Sequence, residues 1–501
     1  MRGFFVNMPA VLEVRREGLR QENRALIPPF KLEEKRQICW ERPFDLKKRP
    51  CGAVLTVGSF PTRDVHVSMR ETFVGCSEGG VVGVGQFTNL PHNTDHPKYQ
   101  SQHTDQMDFQ TICFGKSKEV GVPSLVSVKG LGILVEDALI KDGEIHWTKE
   151  ESKVKWEKLK TKLQSDYANA RTNPESVKWE DYDVPEDAMP GFYQLLGDLD
   201  QIGKYNPWAI KLQFSSPANI AKSVTDNKPL GKDGDTRNPL SESAEFVENI
   251  QMMVALRNKR MVDQVREKWG GRIIVSTDNP SASDMTPQEI SDDAEMAFSL
   301  LPQDVLKTEH SCGGKIEDFG FLKTWPLDGV HLDAWNFPAT ITANADAFAD
   351  FLLSGESKFL AVGIVPTKAL TDLATEIREG ERIDQNNMYM RSGVEVSGAD
   401  LMIKDASEAV MVVGANYFTA LDILKGRLDY IVESLWNTGK FGEDEKSKRD
   451  LWSRIMVSSS CGQGSLEVGT AKMVSYLMRD LSYKVRADNI GVDYGLSEEV
   501  N

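Results

Sequence analysis

The chain has 501 residues, of which 40% are hydrophobic, 27% charged and 8% aromatic, an ordinary globular composition with ample apolar material for a large core. A formal net charge of -16 argues against a nucleic-acid-binding surface, which needs clustered Lys and Arg. Six cysteines without regular spacing do not make a disulfide framework, so a reducing, cytoplasmic setting is expected.

The opening "MRGFFVNMPAVLEVRREGLRQEN" lacks the apolar stretch and small-residue cleavage site of a secretory signal. Residues 1–50 read as an N-terminal extension, with "IPPF" and "ERPF" breaking any long helix. "CGAVLTVGSFPT" (51–62) reads as a buried strand stopped by Pro61, and the Gly-, His- and Asn-rich stretch after it as loops. "SLVSVKGLGILVEDALIKDGEIHW" (124–147) alternates like paired strands, with "KDGE" as a turn. Residues 149–207 are charged and loosely helical.

A more regular pattern follows. "WAIKLQF" (208–214) is a strand, after which Ser215 or Ser216 caps a helix with Pro217 in its first turn. An amphipathic helix is expected over 241–271, then strands over 272–280 and 304–310 separated by the helical "SDDAEMAFSLLP". "GVHLDAW" (329–335) is a strand, 343–357 a helix, and "KFLAVGIVPT" (358–367) a strand. After a helical stretch over 368–452, "SRIMVSSSCGQG" (453–464) gives the last strand. Within that stretch, "AVMVVGANYFTALDIL" (409–424) is too short and too interrupted to span a bilayer, and reads as buried core.

Strands alternating with helices imply a parallel sheet covered by helices. Ser59, Asp278, His310, Cys312, Asp333 and Cys461 all fall at carboxyl ends of expected strands. In an α/β (β/α)8 TIM barrel those ends share one face, and that face carries the site. His310 and Cys312 stand two residues apart on an extended segment and point the same way, so they can converge on one ion. Imidazole and thiolate both suit zinc, and Cys461, in "SSSCGQG", leaves its strand for a similar glycine turn. His331 lies two residues before Asp333 on one strand, as a helper at the site or as a satisfied core histidine. His92, His96 and His103 fit loop histidines better than a second metal site, and "GGVVGVG" (79–85) lacks the ending of a phosphate loop.

The combination of "VGSFPT" (57–62), "IIVSTDNP" (273–280), "EHSCGG" (309–314), "GVHLDAW" (329–335), "LAVGIVPT" (360–367) and "SSSCGQG" (458–464) resembles the cobalamin-independent methionine synthase / uroporphyrinogen decarboxylase superfamily. "HSCGG" itself more nearly resembles the His-x-Cys-Gly motif of the methylcobamide:coenzyme M methyltransferases in that superfamily. The resemblance covers most of 51–65 and 208–475, and implies one catalytic barrel over 51–501 with insertions around 66–207 and 376–450. It implies that His310, Cys312 and Cys461 are catalytic zinc ligands and that Asp333 is a fourth ligand or orients one. Asp278 would hold a substrate amino group and Ser59 would receive the carboxylate end of an amino acid; apart from the resemblance, Trp335, Asn336 and Phe337 follow the strand end and either line a pocket or pack as aromatic core. The implied activity is zinc-dependent transfer of a methyl group to a thiol, homocysteine or coenzyme M-like. The donor would be methylcobalamin, free or carried on a corrinoid partner protein, or methyltetrahydrofolate. No counterpart of the synthase's "Asp-Gly-Glu" acid is evident; Glu71, Glu78 and Asp95 are candidates by position only. The alternatives are a uroporphyrinogen decarboxylase-like lyase, which uses no metal, and a non-catalytic barrel that binds a corrinoid protein.

Overall fold

The computed structural model describes residues 49–55, 81–83, 124–128, 131–134, 137–183, 190–203, 208–223, 240–279, 285–312, 325–367, 370–389, 405–463 and 468–490, with the single residues 282, 319, 322, 403 and 466. All of them belong to one compact unit, Leu46–Asn501. Ser59, the three loop histidines, the three candidate acids and most of the N-terminal extension lie outside the described residues.

The fold is α/β, built on a curled parallel sheet. Its strands are β1 (Val54–Leu55), β2 (Val81–Gly83), β7 (Ala209–Ser215), β8 (Ile273–Asp278), β9 (Leu306–Ser311), β10 (Gly329–Leu332), β11 (Phe359–Val365) and β12 (Ile455–Ser459). They hydrogen-bond in the order β1-β12-β11-β10-β9-β8-β7-β2, and Leu55 pairs with Val81 to join the ends. Every residue of β7, β8, β11 and β12 is buried, as expected of parallel strands covered on both faces. Ala53, Leu55, Ala209, Ile274, Leu306, Phe359, Ala361 and Met456 pack as one apolar core. Two residues further along the strands the same face turns polar, with Lys211, Ser276, Thr308 and Ser458, and then Asp278 and His310. This change from apolar to polar puts the site at the carboxyl ends.

Two antiparallel hairpins stand apart from this sheet: β3 (Ser124–Val128) with β4 (Leu131–Leu134), and β5 (Ala138–Lys141) with β6 (Glu144–Trp147). The "KDGE" turn forms as its sequence requires, with Asp142 and Gly143 both at positive φ, 53° and 78°.

The helices follow their capping signals. Ser216 rather than Ser215 caps α3 (Pro217–Ser223), its hydroxyl accepting from the Asn219 amide, with Pro217 in the first position. The expected 241–271 helix shortens to α4 (Ala244–Arg266), because the Ser243 hydroxyl accepts from Phe246 N and fixes the start. A Thr286–Glu289 capping box opens α5 (Pro287–Phe298).

Three expectations are corrected. The 149–207 stretch is not loosely helical throughout: α1 (Glu150–Thr172) is regular for 23 residues and buries Trp156, Leu159 and Leu163, and α2 (Pro190–Gly203) follows it. The 409–424 stretch is not uniform core but parts of two helices, α9 (Ala406–Ala415) and α10 (Tyr417–Trp436). Ala409, Val413, Ala420, Leu421 and Leu424 are buried there while Phe418 is 56% exposed, so one face packs and the other meets solvent. Finally, part of "GGVVGVG" supplies β2. Between β9 and β12 lie α6 (Ala339–Thr342) and α7 (Ala345–Leu353) before β11, then α8 (Leu370–Tyr389), α9, α10 and α11 (Glu445–Ser453); α12 (Val468–Val485) follows β12. Among the described residues no helix is long and apolar enough to cross a membrane.

Candidate metal centre

His310 is fixed on β9, where its neighbours in register are Asp278 on β8 and His331 on β10. Cys312 follows one residue after the strand ends, and Cys461 lies two residues beyond the end of β12. One ligand atom from each of His310, Cys312 and Cys461 falls within 4.8 Å of the other two, the only such metal-capable group found among the described residues. The two Sγ atoms are 3.1 Å apart and both thiols are free. His310 is fully buried, whereas both cysteines are half-buried, so the group opens on its sulfur side.

The glycine at 363 permits this approach. A Cβ there would stand 2.5 Å from Leu332 O, 2.9 Å from Ser459 O and 3.1 Å from Ser460 Cα. Only a bare backbone lets the ends of β10 and β12 close in on β11, and Cys461 is the next residue after Ser460. Gly363 O also accepts from Ala334 N at 3.1 Å and from Trp335 N at 3.0 Å, which ties in the turn after β10.

The electrostatics are those of a buried, charge-sharing group. The hydrogen bond from Cys312 holds the Cys461 thiol well below its usual range, against the penalty of burial, and the His310 ring adds to the effect. The same contact, with burial, pushes the Cys312 thiol up. Burial raises Asp278 to about 6, with His310 opposing the shift. Asp278 Oδ1 lies 3.9 Å from His310 Nε2, and among the described residues neither carboxylate oxygen has a hydrogen-bond partner. His331 packs on His310 with ring centroids 4.2 Å apart, its Nε2 3.3 Å from Ser459 O. Burial, then the neighbouring His310, holds His331 well below the usual histidine range, so its imidazole is neutral.

Asp333 lies in the turn after β10, outside the group of three. Its carboxylate accepts from Asn336 N at 2.9 Å and Asn336 Nδ2 at 2.6 Å, and burial raises its pKa against those bonds. Trp335 is 6% exposed, with the Arg427 guanidinium carbon 4.0 Å over its ring. The structure thus brings His310, Cys312 and Cys461 together with Asp278 beside them, and leaves Asp333 and Trp335 in an adjoining turn.

Sequence reasoning missed Lys211 and Gln213. Lys211 Nζ donates to Gln213 Oε1 at 2.7 Å on the inner side of β7, and burial lowers its pKa to about 7. Two polar residues alternating inside the apolar "WAIKLQF" were the available signal.

The residues fit a zinc ion on their own chemistry. One nitrogen and two sulfurs make the three-ligand set of a catalytic zinc, which keeps a further position for substrate. Among the described residues the buried ring nitrogens of His310 have only the Cys461 thiol and, at 3.9 Å, the Asp278 carboxylate beside them, a shortfall that coordination of one of them would offset.

No family model and no curated protein matches the chain. Among solved structures it is similar to a B12-independent methionine synthase from a Shewanella species in complex with selenomethionine, with a TM-score of 0.33 and 12% identity over 60% of this chain and 68% of that one. It is also similar to a putative vitamin-B12 independent methionine synthase from Listeria monocytogenes, with a TM-score of 0.30 and 14% identity over 55% of this chain and 64% of that one. Likeness at this level assigns neither a family nor an activity.

Proposed function

We propose that this protein is a zinc-dependent methyltransferase on a (β/α)8 barrel, moving a methyl group from methylcobalamin or methyltetrahydrofolate to a thiol, homocysteine or coenzyme M-like. Residues 1–50 are read as an extension to a barrel over 51–501, in a cytoplasmic protein that can take its donor from a corrinoid partner. The observation that carries the reading is the convergence of His310, Cys312 and Cys461 within 4.8 Å at the carboxyl ends of the strands.

Zinc held by these three residues supplies an acidifying centre for an incoming thiol, whose free pKa of about 8.5 leaves it mostly protonated at neutral pH. The remaining work falls to the chain. Neutral His331 packs on His310 and fixes its ring plane. Asp278 offers a buried carboxylate that accepts no hydrogen bond among the described residues, suited to the ammonium group of an amino-acid thiol. Asp333, held by Asn336, is the candidate fourth ligand or orienting acid. In the transfer, the acceptor thiol first releases its proton to solvent. The new S–C bond then forms as the methyl carbon's bond to the donor breaks, and the donor leaves with the electron pair.

The test is to incubate the full-length, zinc-loaded protein with each donor and each thiol and to identify methylated thiol by mass spectrometry. At least one pairing should turn over, and Cys461→Ser should fall to background. No product from any pairing by a protein that holds zinc would favour the non-catalytic barrel.

A further inference from the structure

The helices between β11 and β12 are not remote from the site. Arg427, on α10, sets its guanidinium over the Trp335 ring and donates from Nη2 to Glu376 Oε2 of α8 at 2.5 Å. The ring under it belongs to the turn that holds Asp333. In that turn Asn336 clamps the Asp333 carboxylate, Ala334 N and Trp335 N share the Gly363 carbonyl, and Asp333 N donates to Ser311 O at 3.2 Å. Ser311 lies between His310 and Cys312 in the chain, and Gly363 touches the backbone that leads into Cys461. The stacked cation therefore closes a continuous set of contacts from the outer helices to all three sulfur and nitrogen donors.

We propose that Arg427 is a positioning residue for the metal centre, acting through Trp335 to hold the 333–336 turn against β9 and β11. Trp335 is then a strut between helix and site rather than a surface for substrate. The inference rests on the zinc reading above only for its effect on metal; the brace itself is a property of the protein fold.

The experiment compares Arg427→Gln and Glu376→Gln with a control, Arg378→Gln. Arg378 joins α8 to α9 through Glu408 at 2.7 Å, whereas it is Arg427 that stacks on Trp335. Zinc affinity is read by competition with a chelator, and amide hydrogen exchange is read at Ala334 and Trp335. Residues that orient ligands from behind typically change metal affinity by about 10–100-fold. Arg427→Gln should weaken zinc about ten-fold and speed exchange at both amides, and Glu376→Gln should do the same less strongly. Arg378→Gln should change neither. Equal losses in all three variants, or unchanged exchange in Arg427→Gln, would overturn the brace. Faster exchange with unchanged zinc affinity would overturn its role at the metal. An unaltered protein that binds no zinc would defeat the proposed function, and exchange alone would then decide whether Arg427 braces the turn.

Discussion

Asp278 and Lys211 show how much of the chemistry rests on single buried charges. Asp278 sits beside His310 with neither oxygen hydrogen-bonded among the described residues, and His310 and Lys211 offset its burial only in part, so an incoming cationic group would be welcome there. Asp278→Asn should therefore raise KM for an amino-acid thiol about ten-fold or more, the worth of a charged hydrogen bond. A thiol without an amino group should change little, and equal effects on both would remove homocysteine from consideration. Lys211 makes a different prediction. Its folded pKa of about 7 is depressed by burial, with Asp278 opposing the shift. Between there and the ordinary lysine value the unfolded chain binds the extra proton, so stability rises with pH, by at most about 1.4 kcal/mol per unit. The stability is fully present above the ordinary lysine value of 10.5 and is lost progressively as pH falls to about 7, below which it no longer changes. Denaturant unfolding of wild type and Lys211→Met at pH 7 and 9.5 should show the difference shifting in favour of wild type at the higher pH. A constant difference would contradict the burial argument.

Three strand ends meet at one glycine at the level of elements. Gly363→Ala places a methyl against Leu332 O and Ser459 O, backbone atoms that move only with their strands. Overpacking of this kind costs about 1–3 kcal/mol. Chemical denaturation should show that loss together with weaker zinc retention, and full zinc affinity in a destabilised variant would separate Gly363 from the site. Most strands from β7 onward were legible in the sequence because they are apolar runs ended by polar residues, although β9, Leu306–Ser311, has a single apolar residue. β2 was not, since Val81–Gly83 is too short for any periodicity and sits among glycines. His310 and Cys312 were legible as a pair because they are close in the chain. Their meeting with Cys461 could be read only from residue types at strand ends, and the backbone approach that allows it depends on Gly363. Arg427 carried no signal, because its partner Trp335 is far away in sequence and belongs to a different element.

On the scale of the whole molecule, the curled sheet separates two tasks. Its apolar inner core, from Ala209 and Ile274 to Met456, holds the strands together, while their carboxyl ends gather the reactive side chains. A site assembled from β9 and β12 exists only when the sheet has closed that distance, so metal binding and folding should be linked. Chelation should lower the thermal midpoint of the zinc-loaded protein, and an unchanged midpoint would show that the ion adds nothing to the fold. The most direct measurement is metal content per chain, by elemental mass spectrometry on the purified full-length protein supplied with zinc. About one zinc per chain, lost in Cys312→Ala and Cys461→Ala while the fold survives, is the predicted result. A chain that holds no zinc, or both variants keeping it in full, would contradict the account.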